Sequence, residues 1–138
     1  MFSHSKAFAC NVGLVKEAEL ARLKDARVGI AGMGAVGGEY LLSLVRAGLG
    51  AFTIADFDKF ELKNFNRQCG SMTSTLNRSK ARVMAAMARD INPELRMKVM
   101  ESAVSEETVD DFLADLDVVI DGMDIFEPDA HRLLITRA

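Results

Sequence analysis

The run Gly32-Met33-Gly34-Ala35-Val36-Gly37 has the spacing at which a backbone wraps an anion. Gly32 permits a tight turn, Gly34 lets a phosphate approach the backbone, and Gly37 lets the following helix lie close on the preceding strand. The N-terminus of that helix, with its unpaired N–H groups, attracts the same anion. Asp56 follows about 20 residues later, where an acceptor for ribose hydroxyls is expected. Together these residues predict a bound nucleotide, and by themselves they suit NAD, FAD and ATP equally.

The segment Asn64-Phe65-Asn66-Arg67-Gln68, followed by Lys80, narrows the choice. A nicotinamide site has no need of an arginine and a lysine beyond its ribose acid. Attack on the α-phosphorus of a triphosphate does need them, because negative charge builds on the phosphorus oxygens and on departing pyrophosphate. Cations aimed at those oxygens stabilise that charge better than water does. Arg67 offers a bidentate fork and Lys80 a compact point charge, with Asn64 and Gln68 to orient the rest. Asp58 has three roles open to it: accepting from ribose, helping to hold a metal, or orienting the basic cluster. Asp121 and Asp124 flank the end of an apolar run, and a carboxylate there can hold Mg²⁺ jointly with phosphate oxygens.

The elements that must position these groups alternate regularly. Residues 17–26 read as a short amphipathic helix, 27–31 as an apolar strand, 35–47 as a helix ending at Gly48, and 51–55 as a second strand. A polar loop from Asp56 to about Leu76 carries the Asn-Arg-Gln cluster; loops of that length are usually functional or disordered. A helix is predicted over 77–91, stopped by Asn92-Pro93, then a strand with one exposed face in which Leu95, Met97 and Val99 alternate with Arg96 and Lys98. A helix over 105–114 capped by Ser105, a strand over 117–121, and a helix opened by Pro128 complete the pattern. Strands alternating with helices predict an α/β fold, a doubly wound Rossmann-like parallel sheet. Residues 1–26 form an arm and short helix, and 27–138 the nucleotide-binding domain.

The order of glycine loop, Asp56-Phe57-Asp58, Asn-x-Asn-Arg-Gln, Lys80 and Asp121-Gly122-Met123-Asp124 resembles the ATP-dependent adenylyltransferases of the ThiF type. That superfamily includes molybdopterin-synthase adenylyltransferases and ubiquitin-activating enzymes, and its arginine and lysine are separated as here. The resemblance covers about residues 27–132. It implies that Arg67 and Lys80 are catalytic, that Gly32, Gly34, Gly37, Asp56, Asp58, Asn64 and Gln68 hold the nucleotide, and that Asp124 rather than Asp121 holds the metal. The implied cofactors are ATP and Mg²⁺. The implied acceptor is the C-terminal carboxylate of a ubiquitin-like or sulfur-carrier protein, giving acyl adenylate and pyrophosphate, and the implied assembly is a homodimer.

Two positions depart from the superfamily's pattern. Cys10-Asn11 stands where an arginine commonly precedes the arm's Asn or Gln, so no arginine acting on a neighbouring subunit is expected, and Ile125 stands where Asn is common. The chain stops at Arg137-Ala138, one helix after an apolar strand, which predicts the N-terminal portion of a longer, truncated adenylation domain. Two alternatives stay open. One is a NAD- or FAD-dependent oxidoreductase, favoured by the glycines and Asp56 but not by the basic loop. The other is a non-catalytic scaffold subunit that retains the fold.

Composition sets the outer limits. A chain of 138 residues, 49% hydrophobic and 27% charged, is long enough for one domain with a real core. Seventeen basic against twenty acidic side chains give a net charge of -3, so there is no global electrostatic case for nucleic acid or an anionic membrane, and any anion site is local. Residues 1–16 lack a basic segment followed by a long apolar run, so neither a signal peptide nor a span is expected, and the protein reads as cytoplasmic. Cys10 and Cys69 form no metal or disulfide pattern, Cys69 has no histidine nearby in sequence to make it a nucleophile, and His4 and His131 lack metal-ligand companions.

Overall fold

The computed structural model describes residues 1–124 and 128–138; Ile125 therefore lies outside the described residues. In chain order the elements are α1 (His4–Ala7), α2 (Glu17–Asp25), β1 (Arg27–Ala31), α3 (Ala35–Arg46), β2 (Ala51–Ala55), α4 (Lys80–Ile91), β3 (Arg96–Met100), α5 (Val109–Leu113), β4 (Val118–Asp121) and α6 (Pro128–Arg137). The strands are all parallel and lie in the order β3-β2-β1-β4. The chain therefore winds outward from β1 through β2 to β3, then crosses back to place β4 on the other side of β1. Between β1 and β4 the winding reverses, and the crevice beyond their carboxyl ends is where ligands of such sheets bind.

Side chains alternate across the sheet as the period of a strand requires. Val28, Ile30, Phe52 and Ile54 point to one face and pack with Leu41 and Val45 of α3 and Val83, Met84 and Ala88 of α4. Ala31 and Ala55 belong to the other face, with Val109 and Phe112 of α5 and Leu134 of α6. Ile30, Ile54 and Phe112 are wholly buried, and removal from water contributes about 1.5–3 kcal/mol for each such side chain. β4 forms a sheet edge with Val118 more than half exposed. No helix among the described residues is long and apolar enough to cross a membrane.

Two expectations about element limits are corrected, and the long loop gains structure of its own. The helix expected from Asn77 starts at Lys80, because Asn77 has φ +63° and bonds Phe60 through its N–H, while Ser79 accepts the Arg82 N–H as the cap. Pairing of residues 77–79 with 59–60 claims those residues before a helix can. The helix expected over 105–114 is only Val109–Leu113, and the Ser105 hydroxyl bonds Glu107 instead of capping it. The Thr108 hydroxyl accepts the Ser105 N–H and donates to the Ala103 carbonyl, closing a tight turn over the intervening residues. Finally, the 56–76 loop is packed: it contains 3₁₀ turns at Leu62–Asn64 and Thr73–Thr75, and the wholly buried Phe60 anchors it in the core.

The N-terminal segment folds back on its own chain. His4 Nε2 lies 2.7 Å from the Gly48 carbonyl oxygen, Phe8 is buried, and the Asn11 amide donates to the Arg46 carbonyl at 3.1 Å. Cys10-Asn11 thus sits at the end of α3 far from the glycine turn.

Candidate functional site

A cavity of about 330 Å³ opens at the carboxyl ends of β1, β2 and β4. Gly32, Gly34, Asp56 and Asp58 line one side of it, and Arg67, Gln68, Lys80 and Asp124 complete the wall. Residues far apart in sequence are therefore gathered at the switch point of the sheet. Gly37 and Asn64 do not line it.

Gly32 has φ +87°, and a Cβ there would sit 2.6 Å from the Gly122 carbonyl oxygen, so only glycine lets the turn after β1 pass the turn after β4. Gly37 works from behind: a Cβ would fall 1.8 Å from the Gly32 carbonyl oxygen, so its absence lets α3 close on β1. At Gly34 the space where a side chain would begin is bounded by Gln68 Nε2 at 3.6 Å, which leaves a cradle at the N-terminus of α3.

Asp56 fastens this turn to the rest of the site. Its Oδ2 accepts the Met33 N–H at 2.6 Å and its Oδ1 accepts the Asp58 N–H at 2.7 Å. A carboxylate has about four lone-pair positions, so room remains for ribose hydroxyls. Burial raises its pKa above the ordinary aspartate value, against the opposing pull of the Met33 and Asp58 N–H groups and of Lys80. Because the folded pKa is raised, the linked stability is fully present below the unfolded value and is lost as pH rises through the folded one. Asp56 is thus not a source of acid lability, and a carboxyl ¹³C titration by NMR is expected to show a midpoint above that of an exposed aspartate. A midpoint at or below it would contradict the assignment.

Lys80 opens α4 and is almost wholly buried, with Nζ 2.8 Å from Asp58 Oδ2 and its own N–H donating to the Asp58 carbonyl at 2.9 Å. Of the three roles open to Asp58, orienting the basic group is the one its contacts display. Arg82, in the same turn of α4, is paired with Glu101 beyond β3 and braces the helix start.

Arg67 sits on the cavity wall with its guanidinium donating to the Lys63 carbonyl and to Asn66 Oδ1, each at 3.0 Å. Asn64, expected to touch nucleotide, is buried behind it. Its Oδ1 accepts the Glu61 N–H, and its carbonyl accepts the N–H groups of Arg67 at 3.2 Å and Gln68 at 2.9 Å. Asn64 therefore shapes the turn that delivers Arg67 and Gln68. Gln68 Oε1 is buried on this wall and has no hydrogen-bond partner among the described residues. An unsatisfied buried acceptor costs about 1–3 kcal/mol, and a ligand donor would remove that cost.

Cys69 turns away from the cavity toward α3, against the position of Gly38. Burial and the Glu39 carboxylate push its thiol up to about 11, the opposite of what a nucleophile needs. The residue missed in the sequence is His131, which is bonded to Asp121 Oδ2 and to the Asp124 carbonyl oxygen. The available signal was its place one turn into a helix that follows an aspartate-ended strand.

Known proteins resemble the chain in both sequence and fold. Over 106 residues the chain is 36% identical to the tRNA threonylcarbamoyladenosine dehydratase of Haemophilus influenzae, a match spanning 76% of this chain and 41% of that protein. It is 35% identical to the probable adenylyltransferase/sulfurtransferase MoeZ of Mycobacterium tuberculosis over 85% of this chain and 29% of that one. The crystal structure of Escherichia coli tRNA N6-threonylcarbamoyladenosine dehydratase in complex with ATP superposes with a TM-score of 0.84 at 33% identity, covering 87% of this chain and 50% of that one. The chain thus spans half or less of the length of these relatives. The model of the ThiF family matches residues 8–138. A match over nearly the whole chain shows that it belongs to the ThiF family.

Proposed function

We propose that the cavity binds ATP·Mg²⁺ and that the protein uses it to adenylate a carboxylate. A carboxylate oxygen forms a bond to the α-phosphorus, the bond from that phosphorus to the β-bridging oxygen breaks, and pyrophosphate leaves with the electron pair. The observation that carries this reading is that Arg67 and Lys80 share one cavity wall with the glycine turn and Asp56. The buried acceptor of Gln68 suits a polar ligand, and a relative of the same fold has been solved with ATP.

The chain's residues divide the work. The α3 N-terminus and Gly34 receive phosphate, and Asp56 receives ribose. Arg67 and Lys80 stabilise charge on the phosphorus oxygens, Lys80 held in place by Asp58. Such chemistry is positioning and charge stabilisation, so no serine–histidine nucleophile is required. Among the described residues no group of three or more acidic, histidine or cysteine side chains could hold a metal unaided. That fits Mg²⁺ brought with the nucleotide, which binds through one or two carboxylates plus phosphate oxygens. Asp124 on the cavity wall would supply the carboxylate, and the ion would neutralise phosphate charge.

The acceptor we favour is the C-terminal carboxylate of a carrier protein, by likeness to the relative named sulfur carrier protein ThiS adenylyltransferase. A second reading has its own support. Relatives at 34–36% identity are named for threonylcarbamoyladenosine on tRNA, a nucleoside whose threonine also bears a carboxylate. Residues 59–78 moreover expose Lys59, Lys63, Arg67 and Arg78 against Glu61 as the sole acid. A local basic segment of that kind suits RNA despite the acidic net charge.

Titration calorimetry on the intact protein tests the nucleotide assignment. Binding of ATP·Mg²⁺ and little heat with NAD is the expected result. Tight NAD binding with no ATP binding would return the protein to the oxidoreductase reading.

A further inference from the structure

His131 stands outside the proposed nucleotide contacts and is held at both ring nitrogens. It lies in the first turn of α6, where Pro128 sets the helix start. Its imidazole joins two points of the connection from β4: Nδ1 is bonded to Asp121 Oδ2, and Nε2 lies 2.7 Å from the Asp124 carbonyl oxygen. Asp121 Oδ1 in turn accepts the Met123 N–H at 3.1 Å, and the Gly122 N–H donates to the Ala31 carbonyl at 2.8 Å. The turn from strand to cavity wall is thereby fixed at successive residues.

An aspartate–histidine pair beside a cavity suggests an acid–base dyad. The geometry speaks against that, because the nitrogen remote from Asp121 is spent on a backbone carbonyl. Asp124 and Ala130 line the cavity, whereas Asp121 and His131 are not among its lining residues. Asp121 is engaged by His131 and by Met123, which withdraws it from metal binding and leaves Asp124 as the strand-end carboxylate on the wall. The His131 and Asp121 side chains are 23% and 31% exposed, so water reaches their bonds in part.

We propose that His131 is a positioning residue for the metal–nucleotide complex: by tying Asp121 to the Asp124 backbone it holds the turn that presents Asp124 to the cavity. This rests on the reading that Asp124 holds Mg²⁺. A ligand whose backbone is already fixed loses less freedom on binding, and partners that orient a metal ligand typically change metal affinity by about 10- to 100-fold.

The test is calorimetric titration of the intact protein with ATP·Mn²⁺ and with metal-free ATP in chelator, with melting temperatures recorded alongside. His131→Ala is expected to weaken ATP·Mn²⁺ by about tenfold and to leave metal-free ATP unchanged. His131→Gln, whose amide nitrogen reaches the place of Nε2 and so keeps the Asp124 half of the tie, should recover part of the loss; His131→Asn, which reaches only the place of Nδ1, should not. If Asp124→Ala weakens ATP·Mn²⁺ and His131→Ala does not, the positioning role is overturned while the metal reading stands. If neither variant weakens it, both fall. Equal loss with and without metal in every His131 variant, accompanied by a lower melting temperature, would reduce His131 to a structural residue and also overturn the proposal.

Discussion

Lys80→Ala is expected to lower ATP–pyrophosphate exchange by about ten- to a thousandfold in the intact protein supplied with a carrier or tRNA acceptor. Charges gathered around a triphosphate act chiefly on charge that develops during the reaction, so the loss should fall on the rate more than on ATP binding. Folding should suffer much less. Breaking a buried ion pair costs about 3–5 kcal/mol when the remaining charge is stranded, but the Asp58 side chain is 52% exposed and regains water once Lys80 is gone. Arg67→Ala should behave alike, since its guanidinium already lies toward solvent. Exchange at the unsubstituted rate in both variants would show these cations to be surface residues, and the scaffold alternative would take over.

Gly37→Ala should be the most damaging small substitution in the chain. The added carbon would overlap the Gly32 carbonyl oxygen at 1.8 Å and press on Ile30 at 3.2 Å, and a backbone carbonyl cannot swing aside as a side chain tip can. Overpacking costs about 1–3 kcal/mol where neighbours can adjust, and more is expected here, against a typical domain stability of about 5–15 kcal/mol. Gly34→Ala supplies the contrast, because its methyl would meet nothing closer than Gln68 Nε2 at 3.6 Å. Gly34→Ala should therefore melt normally yet bind ATP weakly, having filled the cradle, whereas Gly37→Ala should lose thermal stability and ATP binding together. Normal melting of Gly37→Ala would mean that α3 does not close on β1 as described.

Periodicity located β1, β2, β4 and the helix opened by Pro128 because strong apolar patterns and punctuating residues coincide there. The start of α4 was not legible, since the pairing of residues 77–79 with 59–60 is tertiary and leaves no local mark. Side-chain types and spacing placed Gly32, Gly34, Asp56, Arg67, Gln68, Lys80 and Asp124 around one ligand, and all of them line the cavity. The same reasoning put Asn64 against the nucleotide, where it instead shapes the turn beneath Arg67. An asparagine bonded to ligand and one bonded to backbone are the same letter, and only the path of the chain separates them. His131 was passed over because its partners, Asp121 and the Asp124 carbonyl, become neighbours only once α6 docks beside the end of β4.

The hydrogen bonds centred on Asp56 and Asp58 run unbroken from the Met33 N–H of the glycine turn to the ammonium of Lys80. On the proposed assignment, ribose recognition and phosphate charge, though separate tasks, are thus mechanically one unit three residues wide at its narrowest, 56 to 58. Groups sharing a network do not respond independently to substitution. Descendants of this sequence would consequently find single exchanges at 33, 56, 58 or 80 harder to accept than concerted ones, and the segment should change, where it changes at all, as a block.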